Sequence, residues 1–373
     1  MGLTSNAVLV SAVLLAVLLF VGTVWLWPRL ARRDWRAVIG RVGLLLATQL
    51  VVFVSVGLSA NQAFGFYASW ADLFGRETGE GVVVDYDGTA AGPLHVTGIQ
   101  EVEVAGGSRP RVGGQIQKID IVGRSTHIAT PAYVYLPPEY FQPRHRTRTF
   151  PAAVVLTGYP GTAQALIKSL HYPQTAHELA RDGRMQPMIL VMLRPTVAPP
   201  RDTECVDIPG GPQTESFFAK DLPDAVSAHY RVGEKPESWG IIGDSTGGYC
   251  ALKLAIHHPE TYAAGAGLSA YYKAPVDPTT GDLFQGNEEL RYGADLRWYL
   301  KHRPAPHTSL LVSSSKVGEA NYKDTLKFID LVKSKRPTRI SSIILDSGGH
   351  NFNTWRREIP GALEWMSGRL SDR

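Results

Sequence analysis

A serine hydroxyl is a poor nucleophile until a base takes its proton and donors wait for the oxyanion it creates. The stretch WGIIGDSTGGYCALKLAIHHPE (Trp239 to Glu260) offers such a serine. Gly243-Asp244-Ser245-Thr246-Gly247 has the form G-x-S-x-G, a weak signal alone in a chain with 37 glycines. Context strengthens it. An apolar strand over Trp239 to Gly243 runs into the motif, and a helical pattern over Thr246 to His257 runs out of it. A sharp strand–turn–helix elbow lifts the serine oxygen above the sheet, and flanking glycines leave room where side chains would clash. The helix N-terminus and the Thr246 N–H then lie beside any oxyanion formed. A second donor is expected after the strand Ala152 to Thr157, in LTGYPGT, where Gly158 turns the chain and Tyr159 offers its N–H. The bland alternative is a glycine-rich turn capped by Ser245.

The base must be a histidine that folding brings to Ser245. Of 11 histidines, His350 fits best: ILDSGGHNFNTW places it past an apolar strand, in a glycine-rich loop before the last helix. The bland reading is a surface loop histidine. His257 and His258 lie at the far end of the elbow helix, about 18 Å away at the rise of an α-helix. His302 and His307 precede the strand expected to carry the acid. That acid is sought between nucleophile and base in the chain, an order known for strand–elbow–helix sites. Glu319 stands in the loop after the strand Thr308 to Ser313 and is preferred, although a first-turn helix charge would also explain it. Asp324 falls inside the next helical pattern, and Asp346 is only four residues before His350.

The elements that must hold these groups are legible as alternation. Apolar runs occur at Ile116 to Val122, Ala132 to Leu136, Ala152 to Thr157, Met188 to Leu193, Trp239 to Gly243, Ala263 to Leu268, Thr308 to Ser313 and Ile340 to Leu345. The later ones are continuous rather than alternating, as for strands covered on both faces. Helical patterns fill the gaps at Ala163 to Arg181, Thr214 to His229, Thr246 to His257, Asn321 to Lys333 and Trp355 to Leu370. The fold class is α/β, with a mostly parallel, doubly wound sheet over about residues 113–373. Some forty residues between Leu268 and Thr308 make a cap-like insertion (about 270–305). Its Tyr271, Tyr272, Phe284 and Trp298 either line an acyl pocket or simply pack the cap. Residues 61–112 read as a juxtamembrane segment, then a linker or accessory hairpin with β-like runs such as VVVDY.

Residues 1–60 belong to another solvent. Ala7 to Trp27 holds no charged residue, and at the helical rise this run spans roughly 30 Å, a bilayer's hydrocarbon core. A second run follows over Val42 to Leu58. The spans are placed at about 7–27 and 40–58, a transmembrane helical hairpin; two buried core helices are the alternative. Arg29, Arg32, Arg33 and Arg36 crowd the loop, with Arg41 beside it, whereas Met1 to Asn6 and Ser59 to Gly75 lack basic residues. The positive-inside rule puts the loop in the cytoplasm and the bulk of the chain outside, a multi-pass cell-membrane protein with an extracytoplasmic catalytic domain. Phe64, Phe66, Tyr67, Trp70 and Phe74 suit an interfacial aromatic belt. Cleavage near Gly57-Leu58-Ser59-Ala60, releasing the rest, is the other possibility.

Together these pieces resemble the esterase D family of α/β-hydrolases, the group that also holds feruloyl esterases and mycobacterial mycolyltransferases. The matching segments are Pro131 to Phe141 (PAYVYLPPEYF), Val154 to Thr162 (VVLTGYPGT), Gly243 to Tyr272 and Ser347 to Met366. They cover the C-terminal part of the chain and leave out the hairpin. The resemblance implies an α/β-hydrolase fold with Ser245 as nucleophile, His350 as base and Glu319 as acid. Three departures stand out. Thr246 replaces a common Met, Thr157-Gly158 replaces a common His-Gly, and a Gly-x-x-Asp-Pro setting for the acid is missing.

Composition closes other routes. A net charge of +4, partly from the hairpin loop, gives little support to nucleic-acid binding. Two cysteines exclude a disulfide-rich scaffold or a cysteine-based zinc cluster. In an oxidising space Cys205 and Cys250 are expected to be bridged. Asp202, Glu204 and Asp207 lack EF-hand spacing and read as a solvated loop, unless that loop approaches Ser245 and shapes the substrate mouth. No cofactor and no metal are expected. The leading expectation is a membrane-anchored serine esterase or acyltransferase with ester, lipid or cell-envelope substrates, touching membrane lipid through its hairpin. A serine peptidase and a catalytically silent binding protein on the same fold are the alternatives.

Overall fold

The computed structural model describes residues 6–32, 34–64, 92–199 and 201–372. The chain divides into two compact units, Met1–Glu80 and Gly81–Arg373.

The first unit is a pair of helices, α1 (Asn6–Leu30) and α2 (Trp35–Phe64). Asp34 starts α2 by accepting the Ala37 N–H at 2.7 Å, a side-chain cap on an otherwise unpaired donor. Both helices are long and apolar enough to cross a membrane, with mean hydropathies of 2.8 and 2.1. Only 6% and 17% of their apolar windows are buried, so their greasy faces are not packed on protein as a core helix's would be. Length and composition of this kind suit a membrane span or a signal sequence. Thr23 and Thr48 bond back to Leu19 O and Leu44 O and meet each other at 3.1 Å between the helices. Of the aromatic-belt residues, Phe64 ends α2, while Phe66, Tyr67, Trp70 and Phe74 lie outside the described residues, as does VVVDY.

The second unit is built on a sheet of nine described strands in the order β1-β2-β3-β5-β4-β6-β7-β8-β9. These are β1 (Leu94–Gln100), β2 (Gln115–Val122), β3 (Ala129–Leu136), β4 (Ala152–Leu156), β5 (Ile189–Leu193), β6 (Trp239–Asp244), β7 (Ala264–Leu268), β8 (Ser309–Val317) and β9 (Arg339–Ser347). β1, β2, β3 and β5 pair antiparallel, and every pairing from β5 through β4 to β9 is parallel. The continuous apolar runs β4, β5, β6 and β7 are buried at every position, because helices cover both faces. On one face lie α5 (Leu222–His229), α6 (Thr246–His257) and α9 (Tyr322–Lys333). On the other lie α3 (Ala163–Lys168), α4 (Tyr172–Arg181) and α10 (Phe352–Ser367). The cap-like insertion contributes α7 (Glu288–Gly293) and α8 (Leu296–His302).

Three elements differ from the sequence expectation. The segment read as a linker or accessory hairpin supplies β1, which pairs antiparallel with β2 and extends the main sheet. The pattern over 163–181 breaks into α3 and α4, because His171 turns left-handed at φ 55° and Pro173 opens a new first turn. The pattern over 214–229 opens with a helical turn at Thr214–Ser216, widens to a π-turn at Phe217–Asp221, and continues as α5 from a proline-bearing first turn.

Candidate active site

The site forms where five neighbouring parallel strands end, and register decides what meets what. β4 and β6 align Leu156 with Gly243, so the turn Thr157-Gly158 leaves the sheet beside Asp244-Ser245. β6 and β7 align Asp244 with Leu268, and the Ser245 N–H donates to Leu268 O at 2.9 Å. β8 and β9 run in parallel from Ser309 opposite Arg339 to Val317 opposite Ser347. Both outlast their neighbours, and the Gly348 N–H donates to Val317 O at 3.0 Å. The loops bearing Glu319 and His350 therefore leave the sheet side by side.

Ser245 sits on the elbow with φ 52°, left-handed backbone that costs a non-glycine residue of order 1–3 kcal/mol. Its neighbours make this tolerable. A Cβ on Gly247 would lie 2.4 Å from Leu156 O, and one on Gly158 would lie 2.9 Å from Ser245 Cβ. Only bare backbone lets the β4 loop and the start of α6 close around the serine.

Ser245 Oγ is 2.9 Å from His350 Nε2, and His350 Nδ1 is 3.5 Å from Glu319 Oε2. The second contact is of ion-pair length, longer than a good hydrogen bond. The Glu319 side chain is 2% exposed and the His350 ring 46%, so a buried acid faces a half-open base. Glu319 Oε1 accepts from Ser269 Oγ at 2.7 Å, and that oxygen accepts from Trp355 Nε1 at 2.9 Å. The Trp355 ring also meets His350 edge to face, 5.2 Å between centroids. Ser269 reaches this position from a left-handed turn at φ 49° just past β7. The competing acids sit elsewhere: Asp324 pairs with Arg297 and Lys327, and the exposed Asp346 pairs with Lys316.

Thr246 opens α6, and as first helical residue it has no intrahelical acceptor for its N–H. Tyr159 follows Gly158 on the facing loop and precedes a cis proline. Asp244 ties that loop to the elbow: its Oδ2 accepts the Gly158 N–H at 2.9 Å. Complete burial pushes the Asp244 carboxyl up to about 7. Glu358, on α10, accepts from Ser313 Oγ at 2.7 Å, and burial likewise pushes it up to about 7. Sequence reasoning did not find Asp244, Ser269, Trp355 or Glu358. Asp244 stands in the variable position of the Ser245 motif, which asks for no particular side chain, and the other three are brought to the site by the fold without a local motif.

The acidic stretch 202–207 departs from expectation. Asp202 and Glu204 are 2% and 1% exposed, not solvated. Cys205 is bonded to Cys250 of α6 with 5.7 Å between Cα atoms, and this bond anchors the stretch under the elbow helix. Lys253 of α6, itself buried, donates to Cys205 O and pairs with Glu215. Burial pushes Asp202 up to about 6 and Glu204 well above the carboxylate range. Asp207, partly exposed, accepts from Ser216 N and Oγ and holds the next helical turn. Among the described residues no group of three or more His, Cys, Asp and Glu is placed to hold a metal. In the insertion, Tyr272 stacks on Phe328 and Trp298 stacks between Tyr292 and His302, which is packing of the cap. Phe284 is buried in the same core cluster.

The likeness to known proteins agrees with this architecture. A family model, Esterase (Putative esterase), matches residues 124–366. An uncharacterized protein of Corynebacterium glutamicum is 25% identical over 250 residues, covering 65% of this chain and 58% of that protein. The MPT51 antigen of Mycobacterium leprae is 29% identical over 115 residues, 28% of this chain and 37% of the antigen. The chain spans less than two thirds of the length of these curated relatives. Among solved structures, a ferulic acid esterase superposes with a TM-score of 0.58 at 16% identity, over 68% of this chain and 98% of that one. An S-formylglutathione hydrolase from Agrobacterium tumefaciens also gives 0.58, at 17% identity, over 73% and 99%. The α/β-hydrolase fold is thus shared with both. With its family model spanning most of the sheet and the elbow, the chain belongs to the esterase family.

Proposed function

We propose that this protein is a serine esterase or acyltransferase, anchored to the cell membrane by its helical hairpin, with the enzymatic unit outside the cytoplasm. One observation carries the reading: Ser245 Oγ and His350 Nε2, 105 residues apart, stand 2.9 Å from each other at the C-terminal rim of the sheet. In the first step Ser245 Oγ bonds to the ester carbonyl carbon while its proton passes to His350 Nε2, and the carbonyl electron pair moves onto oxygen. The N–H groups of Thr246 and Tyr159 hold that oxyanion. The tetrahedral intermediate collapses, the ester C–O bond breaks, and the leaving alcohol takes the proton from His350. Glu319 faces Nδ1, which fixes the tautomer that leaves Nε2 free to accept and supports the imidazolium. A water, or the hydroxyl of a sugar or lipid, then attacks the acyl-enzyme with His350 again as base, and Ser245 recovers its proton.

Support for the acyl-transfer option comes from a short match to a relative named diacylglycerol acyltransferase/mycolyltransferase Ag85A, of Mycobacterium ulcerans, 37% identical over 67 residues, 18% of each chain. The arginines beside and between α1 and α2 support a cytoplasmic loop and an outer enzymatic unit, close to lipid or envelope esters. The test is labelling of the full chain in detergent with a fluorophosphonate. The expected result is an adduct on wild type and none on Ser245→Ala. An unlabelled but folded wild type, or a labelled Ser245→Ala, overturns the reading. Hydrolysis of a p-nitrophenyl ester with and without a sugar acceptor then separates esterase from transferase.

A further inference from the structure

The stretch 202–207 is expensive to hold. Glu204 and Cys205 both stand at φ 48°, backbone that ordinary side chains avoid. Three ties keep them there: the Cys205–Cys250 bond, the Lys253 ammonium on Cys205 O, and Thr214 Oγ1 on Val206 O at 2.8 Å. The first two land on α6, the helix that begins at the elbow. This strained backbone delivers one group, the buried carboxyl of Glu204, whose two oxygens each lie 2.6 Å from Tyr271 Oη. Tyr271 in turn is 3.1 Å from Thr246 Oγ1, and its ring stacks on Tyr249 of α6 with 5.1 Å between centroids. A continuous line of polar contacts therefore runs from the anchored stretch to the residue after the nucleophile.

We infer that Tyr271 is a positioning residue for the oxyanion donor: through the line Glu204–Tyr271–Thr246 it fixes the first residue of α6, and with it the direction of the Thr246 N–H. The inference rests on the acyl-transfer reading above. The line has a chemical direction. A phenol has one proton to give. The Glu204 oxygens at 2.6 Å take it, and the Thr246 hydroxyl, 3.1 Å from Tyr271 Oη, is placed to turn its own proton to the phenol oxygen. Thr246 supplies the hydroxyl that completes this line. The residue is 5% exposed, and fixing its side chain also fixes its peptide. Oxyanion donors act by pre-organisation, so a donor left free to swing loses rate without losing ground-state binding.

The test is a double-mutant cycle on the full chain, read as kcat and KM for p-nitrophenyl butyrate and as the fluorophosphonate labelling rate. Tyr271→Phe keeps the stacked ring and removes only the hydroxyl; kcat is expected to fall about tenfold with KM within about twofold. Thr246→Val should fall similarly, and Thr246→Ser, which keeps the hydroxyl, should recover at least fivefold of that loss. The double variant should be no worse than the poorer single one, because both changes cut the same line. A Tyr271→Phe enzyme with wild-type kcat, a loss confined to KM, or losses that multiply in the double variant would each overturn the inference. If wild type itself takes no fluorophosphonate, the functional reading fails. If wild type labels and Tyr271→Phe labels equally fast, only the role of Tyr271 fails.

Discussion

Replacing Glu319 with glutamine separates its charge from its shape. Glu319→Gln keeps the length of the side chain and an oxygen able to accept from Ser269, but removes the negative charge 3.5 Å from His350 Nδ1. When His350 accepts the serine proton, that charge stabilises the imidazolium by 332/(εr), about 5 kcal/mol at an effective dielectric of 20. The His350 ring is 46% exposed, and solvent screening at roughly twice that dielectric brings the figure to about 2.4 kcal/mol. The expected loss in kcat/KM is therefore on the order of 50-fold to 10³-fold. It should be smaller than the ~10⁴-fold loss typical of a serine triad whose acid is buried at hydrogen-bond distance. The assay is hydrolysis of a p-nitrophenyl ester by the full chain in detergent, with the melting temperature as a control for folding. A folded Glu319→Gln within threefold of wild type, beside an inactive Ser245→Ala, would refute the assignment of Glu319 as the acid.

Other consequences follow from the same contacts. Asp244 has a carboxyl raised from 3.8 to about 7 in the fold, so it lends stability that is present below pH 4 and lost as pH climbs to 7. Asp244→Asn keeps an acceptor for Gly158 and should flatten the melting temperature between pH 4.5 and 7.5, relieving a cost on the order of 2–4 kcal/mol at the upper end; parallel wild-type and variant curves would refute this. Breaking the Cys205–Cys250 bond, which spans 45 residues, should destabilise by about 4 kcal/mol on loop entropy, and lower the melting temperature of the enzymatic unit by roughly 10 °C. Reductant should reproduce the shift in wild type and do nothing to Cys205→Ala/Cys250→Ala; equal melting with and without reductant would sink it. For the hairpin, a cysteine at Arg32 should react with an impermeant maleimide only after cells are opened, and labelling of intact cells would reverse the proposed topology.

The parts of the fold that could be foreseen are those written locally. The continuous apolar runs that became β4 to β7 announce burial on both faces, and the glycines around Ser245 announce a turn that tolerates no Cβ. β1 was not foreseen because LHVTGIQ is an edge strand, with only Leu94 buried and Ile99 65% exposed, so no apolar face marks it. The break between α3 and α4 is marked by Pro173, which cannot continue a helix, whereas the left-handed turn at His171 before it carries no signal of its own. The stretch around Glu204 spells a solvent loop, and a bond to a cysteine 45 residues away buries it. Ser269 and Trp355 reach Glu319 only because β7, β8 and the start of α10 end at one rim, a matter of register that composition and periodicity do not encode.

The surroundings of His350 hold more acid than one base needs, and burial decides which of it counts as charge. Glu319 faces the ring directly. Asp244 and Glu358 also lie within electrostatic reach of the His350–Glu319 pair, and a full complement of negative charges there would hold the imidazole proton too tightly and oppose the oxyanion. Burial penalises the ionised form of both, so below about pH 7 they are largely neutral, and Asp244 serves the site as a hydrogen-bond acceptor for the Gly158 loop. Burial likewise raises the Glu204 carboxyl. As pH passes 7, ionisation of Asp244 and Glu358 adds negative potential near the His350–Glu319 pair. Proton return to the alcohol is then disfavoured just where proton abstraction from Ser245 is helped. On the proposed mechanism, turnover is therefore expected to be most efficient below about pH 7, where Asp244 and Glu358 are largely neutral.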